Sequence, residues 1–337
     1  MPVNPTNTGL VVGIDLGGTN LQVGVVDQAN SIVGRSKKKT KAEKGPESVL
    51  DRIAEAVAEA CEEAGCTTGD LSAIGIGAPG AIDFARGVVL EAPNLRWNDV
   101  HLARELSARC ANTPVVVDND VNVAIYGENK LGAGNNAHNV LGVWCGTGVG
   151  GGLILNGELY HGGFGSAGEI GQTLLFPNAP LTYRLLEDVC SRTAVTRRIV
   201  TLIEQNHPSI LPEISARRDA EKERKRTPLR QIGSSVIAQA YDEGDKLTRD
   251  VIHESADLLG RAISNVVTLL ALPDVILGGG LTEALGQPWV EHVAASCREH
   301  VFPKEAAKVR FAATTLEDRA GLLGAALLAR ERLPQLV

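Results

Sequence analysis

The sequence has no apolar run near the ~18 residues that a membrane-spanning helix requires. Its opening residues, MPVNPTNTGL, lack a basic stretch followed by an apolar one. Insertion into a membrane and secretion are therefore not expected. The six cysteines (Cys61, Cys66, Cys110, Cys145, Cys190 and Cys297) are scattered, without the paired spacing of a zinc site or a disulfide framework, which suits reduced, packed thiols in a cytoplasm. No Gly-Lys dipeptide occurs, so a Walker phosphate loop is excluded. Nor is there an excess of positive charge. Against 40 acidic side chains stand 33 basic ones, net −7, and no general field recruits nucleic acid or an anionic membrane.

What is present reads as a globular chain rich in tight turns. Of 337 residues, 44% are hydrophobic, 22% are charged and 37 are glycine, about 11% where ~7% is usual. The length favours two packed domains over one.

Two stretches repeat one pattern. Leu10–Ile14 is apolar, DLGGTN occupies Asp15–Asn20, and Leu21–Val26 is apolar again, which predicts strand, glycine turn, strand. From Asn139, NVLGVW, CGTGVGGG and LILNGELY repeat the order, with a hairpin signal at Asn156-Gly157. A repeat at about 130 residues points to a duplicated architecture with one nucleotide held between the halves. Val49, Leu50, Ile53, Val57 and Ala60 recur at helical spacing before Gly65. Ala73–Gly77 and Pro114–Asp120 read as strands ending in polar groups, and Leu185–Val200 as an amphipathic stretch. Gln205–Arg230, with RRDAEKERKR at its centre, reads as a solvated insertion, since acids interrupt its basic run. A long helix through Ile252–Leu270 stops at Pro273; DVILGGGL then gives strand, glycine turn and helix start, and Gly321–Leu333 is helical.

Gly146, Gly148 and Gly151 satisfy G-x-G-x-x-G, yet a strand follows where the dinucleotide fingerprint needs a helix. The backbone argument survives, because glycine turns let several N–H groups converge on an anion such as phosphate. Asp15, just before the first turn, is either a turn-forming residue or a carboxylate that meets polyphosphate through Mg²⁺. Asp120, at a strand end and a helix start, is either an N-cap or a general base for a hydroxyl nucleophile, and Asp118 competes for the cap. Glu158, His161 and Glu169, in the glycine-studded ELYHGGFGSAGEIG, offer the mixed donors and acceptors that sugar hydroxyls need, or simply face solvent.

With these residues in view the chain resembles the ROK sugar kinases of the actin-like ATPase superfamily, over most of its length. The resemblance rests on DLGGTN, GIGAPGAID (Gly75–Asp83), APNLRW (Ala92–Trp97), DNDVN (Asp118–Asn122), GTGVGGG (Gly146–Gly152), ELYHG (Glu158–Gly162), GEIG (Gly168–Gly171) and LGGG (Leu277–Gly280), in that order. It implies an α/β fold of two actin-like (ribonuclease H-like) domains with a duplicated strand–glycine-turn–strand core, closing over ATP, Mg²⁺ and a hexose. Residues 1–130 with a C-terminal helix at about 316–337 would form the smaller domain, and 131–315, with the insertion at about 205–230, the larger. By position, Asp120 is implied as the base that assists γ-phosphoryl transfer to a sugar hydroxyl. Gly80, Asn94, Asn119, Glu158, His161 and Glu169 are implied around the sugar. Asp15, Gly17, Gly18, Thr19, Asn20, Thr147 and Gly148 fall in the phosphate turns, Asp15 holding Mg²⁺ through water, and Gly279 and Gly280 in the adenosine-side turn. A homodimer is the family expectation.

The chain departs from the family pattern at two places: the basic insertion near Arg217–Arg226, which has no assigned role, and the zinc loop. Many relatives carry a structural zinc, held by a His after GEIG and three cysteines in a CxCGxxGC run; here Gln172 takes the His position and the following stretch offers only Cys190. No structural zinc is expected, with packing of Leu174, Leu175, Phe176 and Leu181 in its place. The Leu186-Glu187 and Ser191 that follow still predict the next helix. Glucose is the expected substrate, from NLRW and ELYHG, with fructose, mannose, N-acetylglucosamine and N-acetylmannosamine as alternatives, polyphosphate as an alternative donor, and a non-catalytic sugar sensor as another reading. A helix-turn-helix repressor is not expected, since nine residues precede Leu10.

Overall fold

The computed structural model describes residues 9–221, 225 and 227–336. The centre of the RRDAEKERKR stretch and the first eight residues lie outside the described residues. In chain order the elements are β1 (Val11–Leu16), β2 (Asn20–Val26), β3 (Ile32–Lys39), α1 (Pro46–Glu63), β4 (Ala73–Ala78), β5 (Ala81–Asp83), β6 (Val88–Ala92), β7 (Trp97–Val100), α2 (Leu102–Arg109), β8 (Val115–Asn119) and α3 (Asp120–Leu131). After these come β9 (Val140–Cys145), β10 (Val149–Leu155), β11 (Glu158–Leu159), α4 (Glu187–Cys190), α5 (Arg192–Glu204), α6 (Leu211–Glu221), α7 (Ser234–Asp242) and α8 (Lys246–Leu270). The chain finishes with β12 (Asp274–Gly278), α9 (Gly279–Leu285), α10 (Gln287–His300), β13 (Arg310–Ala313) and α11 (Ala320–Leu336).

The two large sheets share one topology. The first is ordered β3-β2-β1-β4-β8 and the second β11-β10-β9-β12-β13, so each sets its third, second, first, fourth and fifth strands side by side. In the first, β1, β2 and β3 are antiparallel neighbours while β1, β4 and β8 run parallel; in the second, β9, β12 and β13 run parallel. This is the duplicated α/β core anticipated from the paired glycine turns. The hairpin signal holds as well: Asn156 and Gly157 both take positive φ, 56° and 88°, as a two-residue turn between β10 and β11 requires.

The chain separates into two compact units: Met1–Asn136 with Gly152–Ala167 and Asp318–Val337, and Ala137–Gly151 with Gly168–Glu317. Gly152–Ala167 thus groups with the first unit although it lies beyond residue 131; Gly152 sits against Asn122 and Ile125 of α3. The first unit's core stacks α1, through Val49, Leu50, Ile53, Val57 and Ala60, against Val12, Ile14, Val23 and Val25 of the sheet. Pro46 opens α1 at a position where no N–H is needed, and Gly65, at φ 70°, follows its end.

Two expectations need correction. Leu185–Val200 is not one stretch but α4 and α5, divided at Ser191, whose hydroxyl caps α5 by accepting from Ala194 N–H. Of the four residues expected to pack in place of zinc only Leu175 is half-buried; Leu174 is 65% exposed, Leu181 77% and Phe176 39%. Main-chain pairing holds that loop instead. Leu174 bridges Leu185, and the N–H groups of Leu175 and Phe176 both donate to the Arg184 carbonyl at 2.8 and 3.1 Å. Such bonds order a loop without burying its side chains.

Candidate active site

In the first unit the site is assembled where β1, β4 and β8 end. The β1–β2 turn is closed by Gly17 N–H donating to the Asn20 carbonyl at 2.9 Å, and braced by the Thr40 hydroxyl on the Gly17 carbonyl at 2.6 Å. Thr40 N–H reaches the Thr19 carbonyl, and Lys39 Nζ the Asn20 side-chain oxygen. Gly18 lies against Asn94: a Cβ there would stand 3.2 Å from the Asn94 carbonyl oxygen. The sequence motifs around residues 18 and 94 are thereby joined.

Asp15, at the end of β1, has its carboxyl pushed up to about 7 by burial first, then by the charges of Asp120 and Asp318, with Lys37 opposing. Gly321, at the start of α11, leaves room for it; a Cβ there would come within 3.1 Å of the carboxyl carbon. A half-buried acid crowded by two others is an environment that a hard cation relieves.

At the end of β8 the capping question resolves against Asp120. Asn119 is the N-cap of α3, its side-chain oxygen accepting from Val121 and Asn122 N–H at 2.9 and 3.3 Å. Its amide nitrogen donates to the Gly80 carbonyl at 3.2 Å, which ties the β4–β5 turn to this site. Gly80 holds φ 99° against Glu91 and Ala92, a conformation that suits glycine. Asp120 is the first residue of the helix, and burial pushes its carboxyl up to about 6 although Val121 N–H donates to it. A carboxyl titrating there is poised near neutrality to take a proton from a hydroxyl.

His161 joins the same cluster. Its Nε2 lies 2.8 Å from Asp118 Oδ2, and its ring stacks on Phe84 with centroids 4.0 Å apart. Glu158 stands exposed at the start of β11. Arg332 Nη2 stands 3.4 Å from the same Asp118 oxygen. The sequence offers Asp118 only as a rival for the cap and gives no signal for Phe84 or Arg332.

The second unit brings its two glycine turns together. Gly146 N–H donates to the Gly148 carbonyl at 2.9 Å, Thr193 hydroxyl to the Thr147 carbonyl at 2.8 Å, and Arg192 to the Thr147 hydroxyl at 3.3 Å. Glu187 accepts from Val149 N–H at 2.8 Å and fills the space a Cβ on Gly148 would need. Gly279, at φ 81°, packs on the Cys145 backbone with no room for a Cβ, and Gly280 lies against Ser234. Glu169 precedes a short 3₁₀ turn, its carbonyl accepting from Gln172 N–H at 3.1 Å. Among the described residues no group of three or more His, Cys, Asp or Glu side chains is arranged to hold a metal, and no helix is long and apolar enough to cross a membrane.

The sequence profile of the ROK family matches residues 11–332. The chain belongs to the ROK family. Among ROK relatives, it is 30% identical to a glucokinase of Thermotoga maritima over 96% of this chain and 98% of that one. It is also 28% identical to a putative xylose repressor of Caldicellulosiruptor, over 94% of this chain and 77% of the relative. The crystal structure of a ROK glucokinase from Streptomyces griseus with glucose and AMPPNP superposes with a TM-score of 0.82 at 32% identity, covering 96% of this chain and all of that one. The two-domain actin-like fold anticipated from the motifs is therefore that of this ROK chain.

Proposed function

We propose that this ROK protein is an ATP-dependent hexose kinase, with glucose as its first substrate. The observation that carries the reading is Asp120, a carboxyl raised to about 6 at the end of β8 beside Asn119 and within the electrostatic reach of Asp15. Similarity to the Thermotoga maritima glucokinase and to the glucose- and AMPPNP-bound Streptomyces griseus enzyme supports it.

In this reading the sugar lies against Gly80, Asn94, Asn119, Glu158, His161 and Glu169. Its 6-hydroxyl gives its proton to Asp120 as the O6–phosphorus bond forms and the bond from the γ-phosphorus to the β-phosphate oxygen breaks, leaving ADP. Gly17, Gly18, Thr19, Asn20, Thr147 and Gly148 offer backbone donors to the phosphates, with Gly279 and Gly280 on the adenosine side. Asp15 would hold Mg²⁺ through water, and the cation, when bound, neutralises charge on the phosphates. A homodimer in the cytoplasm is part of the proposal; a monomer alone in light scattering would remove the pairing.

The likeness to the putative xylose repressor favours a second reading, a sugar-responsive regulator. The discriminating experiment is ADP release with ATP and Mg²⁺ across a hexose panel, Asp120→Asn run beside the wild type. Turnover that the variant loses establishes the kinase. Silence from folded protein that binds ATP points to an untested acceptor, a different phosphoryl donor such as polyphosphate, or a sensor.

A further inference from the structure

His161 presents two ring nitrogens, and what each carries decides how it meets a sugar. The Nε2 side is committed. It faces Asp118 Oδ2 at 2.8 Å, and the partners of the Asp118 carboxylate, 2% exposed, among the described residues are donors. Its Oδ1 accepts from Asn119 N–H at 2.8 Å and from the Asn122 amide at 3.0 Å, while Arg332 Nη2 stands 3.4 Å from Oδ2. Burial alone would raise this carboxyl, but the bonds from His161 and Asn122 and the charge of Arg332 hold it below the ordinary carboxylate value. An ionised carboxylate has only lone pairs to offer, so Nε2 must carry the proton. Phe84, stacked at 4.0 Å and 30° to the ring, restrains it from turning over.

We propose that Asp118, backed by Arg332, is a positioning residue that fixes the imidazole of His161 with Nε2–H bound and Nδ1 bare, so that His161 acts as an acceptor for one sugar hydroxyl. This rests on the sugar-kinase reading for its consequence, though the tautomer itself does not. The arrangement joins residues far apart in the chain: β8, the loop after β11 and the C-terminal helix α11. It also gives His161 a rigid support from within the first unit, in a protein whose post-GEIG segment lacks the ligands of a zinc loop. A sugar whose matching hydroxyl is removed or methylated loses its donor to Nδ1 and binds more weakly.

The test is ¹⁵N-histidine NMR on the full chain, the His161 signal being assigned by its loss in His161→Gln, together with kinetics of Asp118→Asn and Arg332→Met. In the wild type His161 is expected as the Nε2–H form with Nδ1 unprotonated. Asp118→Asn is expected to mix the tautomers and raise the sugar KM about tenfold or more, with kcat and the ATP KM little changed. Arg332→Met, whose side chain is partly exposed, is expected to fold and to raise the sugar KM by less. A wild-type His161 protonated at Nδ1 overturns the proposal, as does Asp118→Asn with wild-type tautomer and sugar KM. If Asp118→Asn does not fold, an Arg332→Met sugar KM equal to wild type overturns it. A wild type that phosphorylates no hexose defeats the kinase reading, and the NMR result still decides the tautomer.

Discussion

At the scale of single residues, two carboxyls dominate the chemistry. Asp120→Asn should lower kcat by about 10²–10⁴, the usual worth of a general base, while leaving the fold intact. The kcat/KM profile of the wild type should fall on the acid side with an apparent pKa near 6, the value to which burial lifts Asp120. The same lift has a stability cost whose sign is definite. A carboxyl moved from 3.8 to about 6 binds its proton more tightly when folded, so its contribution is favourable below the unfolded value and is lost as pH rises through the folded one. Asp120→Asn should therefore melt a few degrees above wild type at pH 8, and the difference should shrink towards pH 4. An equal Tm at pH 8 would show that the carboxylate is not buried as described.

At the scale of elements, α11 lies so close to β1, β4 and α3 that glycine is required on both sides of the contact. A Cβ on Gly13 would run into the Leu322 carbonyl, one on Gly75 into that of Ala325, and one on Gly324 into that of Val123. These glycines stand where backbone meets backbone, and the approach places Gly321 against Asp15. Gly324→Ala should cost about 1–3 kcal/mol, read as a lower Tm. Gly69→Ala, whose added carbon would meet nothing closer than the Thr67 hydroxyl at 3.7 Å, should leave Tm nearly unchanged. From the sequence the helix at Gly321–Leu333 was legible by its apolar periodicity, whereas its place with the first domain came from the resemblance and not from that spacing. Helix spacing reports which face is apolar and is silent about which sheet receives it. The loop after GEIG failed for a related reason: Leu174, Phe176 and Leu181 are apolar by type, yet the main chain pairs with Leu185 and Arg184 and leaves those side chains outside.

At the scale of the whole molecule, the missing zinc ligands give a direct expectation. Protein purified without added metal should contain substoichiometric zinc by elemental analysis, and Tm should not move with a mild chelator. Stoichiometric zinc would require ligands that Gln172 and Cys190 do not supply. The duplicated core was readable because strand, glycine turn and strand are local patterns, set by β-branched residues and by turns that tolerate close backbone approach. Their order along the chain carried the resemblance, and both sheets have the topology that two copies demand. What the chain's neighbours decide was not readable. Asn119 and Asp120 are adjacent and both able to cap, and only the path of β8 into α3 makes the first the cap and the second a half-buried carboxyl with a raised pKa. Asp118, Phe84, His161 and Arg332 span most of the chain and meet in one cluster. Sequence alone thus determined the fold class and the motifs, because these follow from short-range periodicity. Tertiary structure decided protonation and partnership, because burial and charge depend on residues brought close by folding.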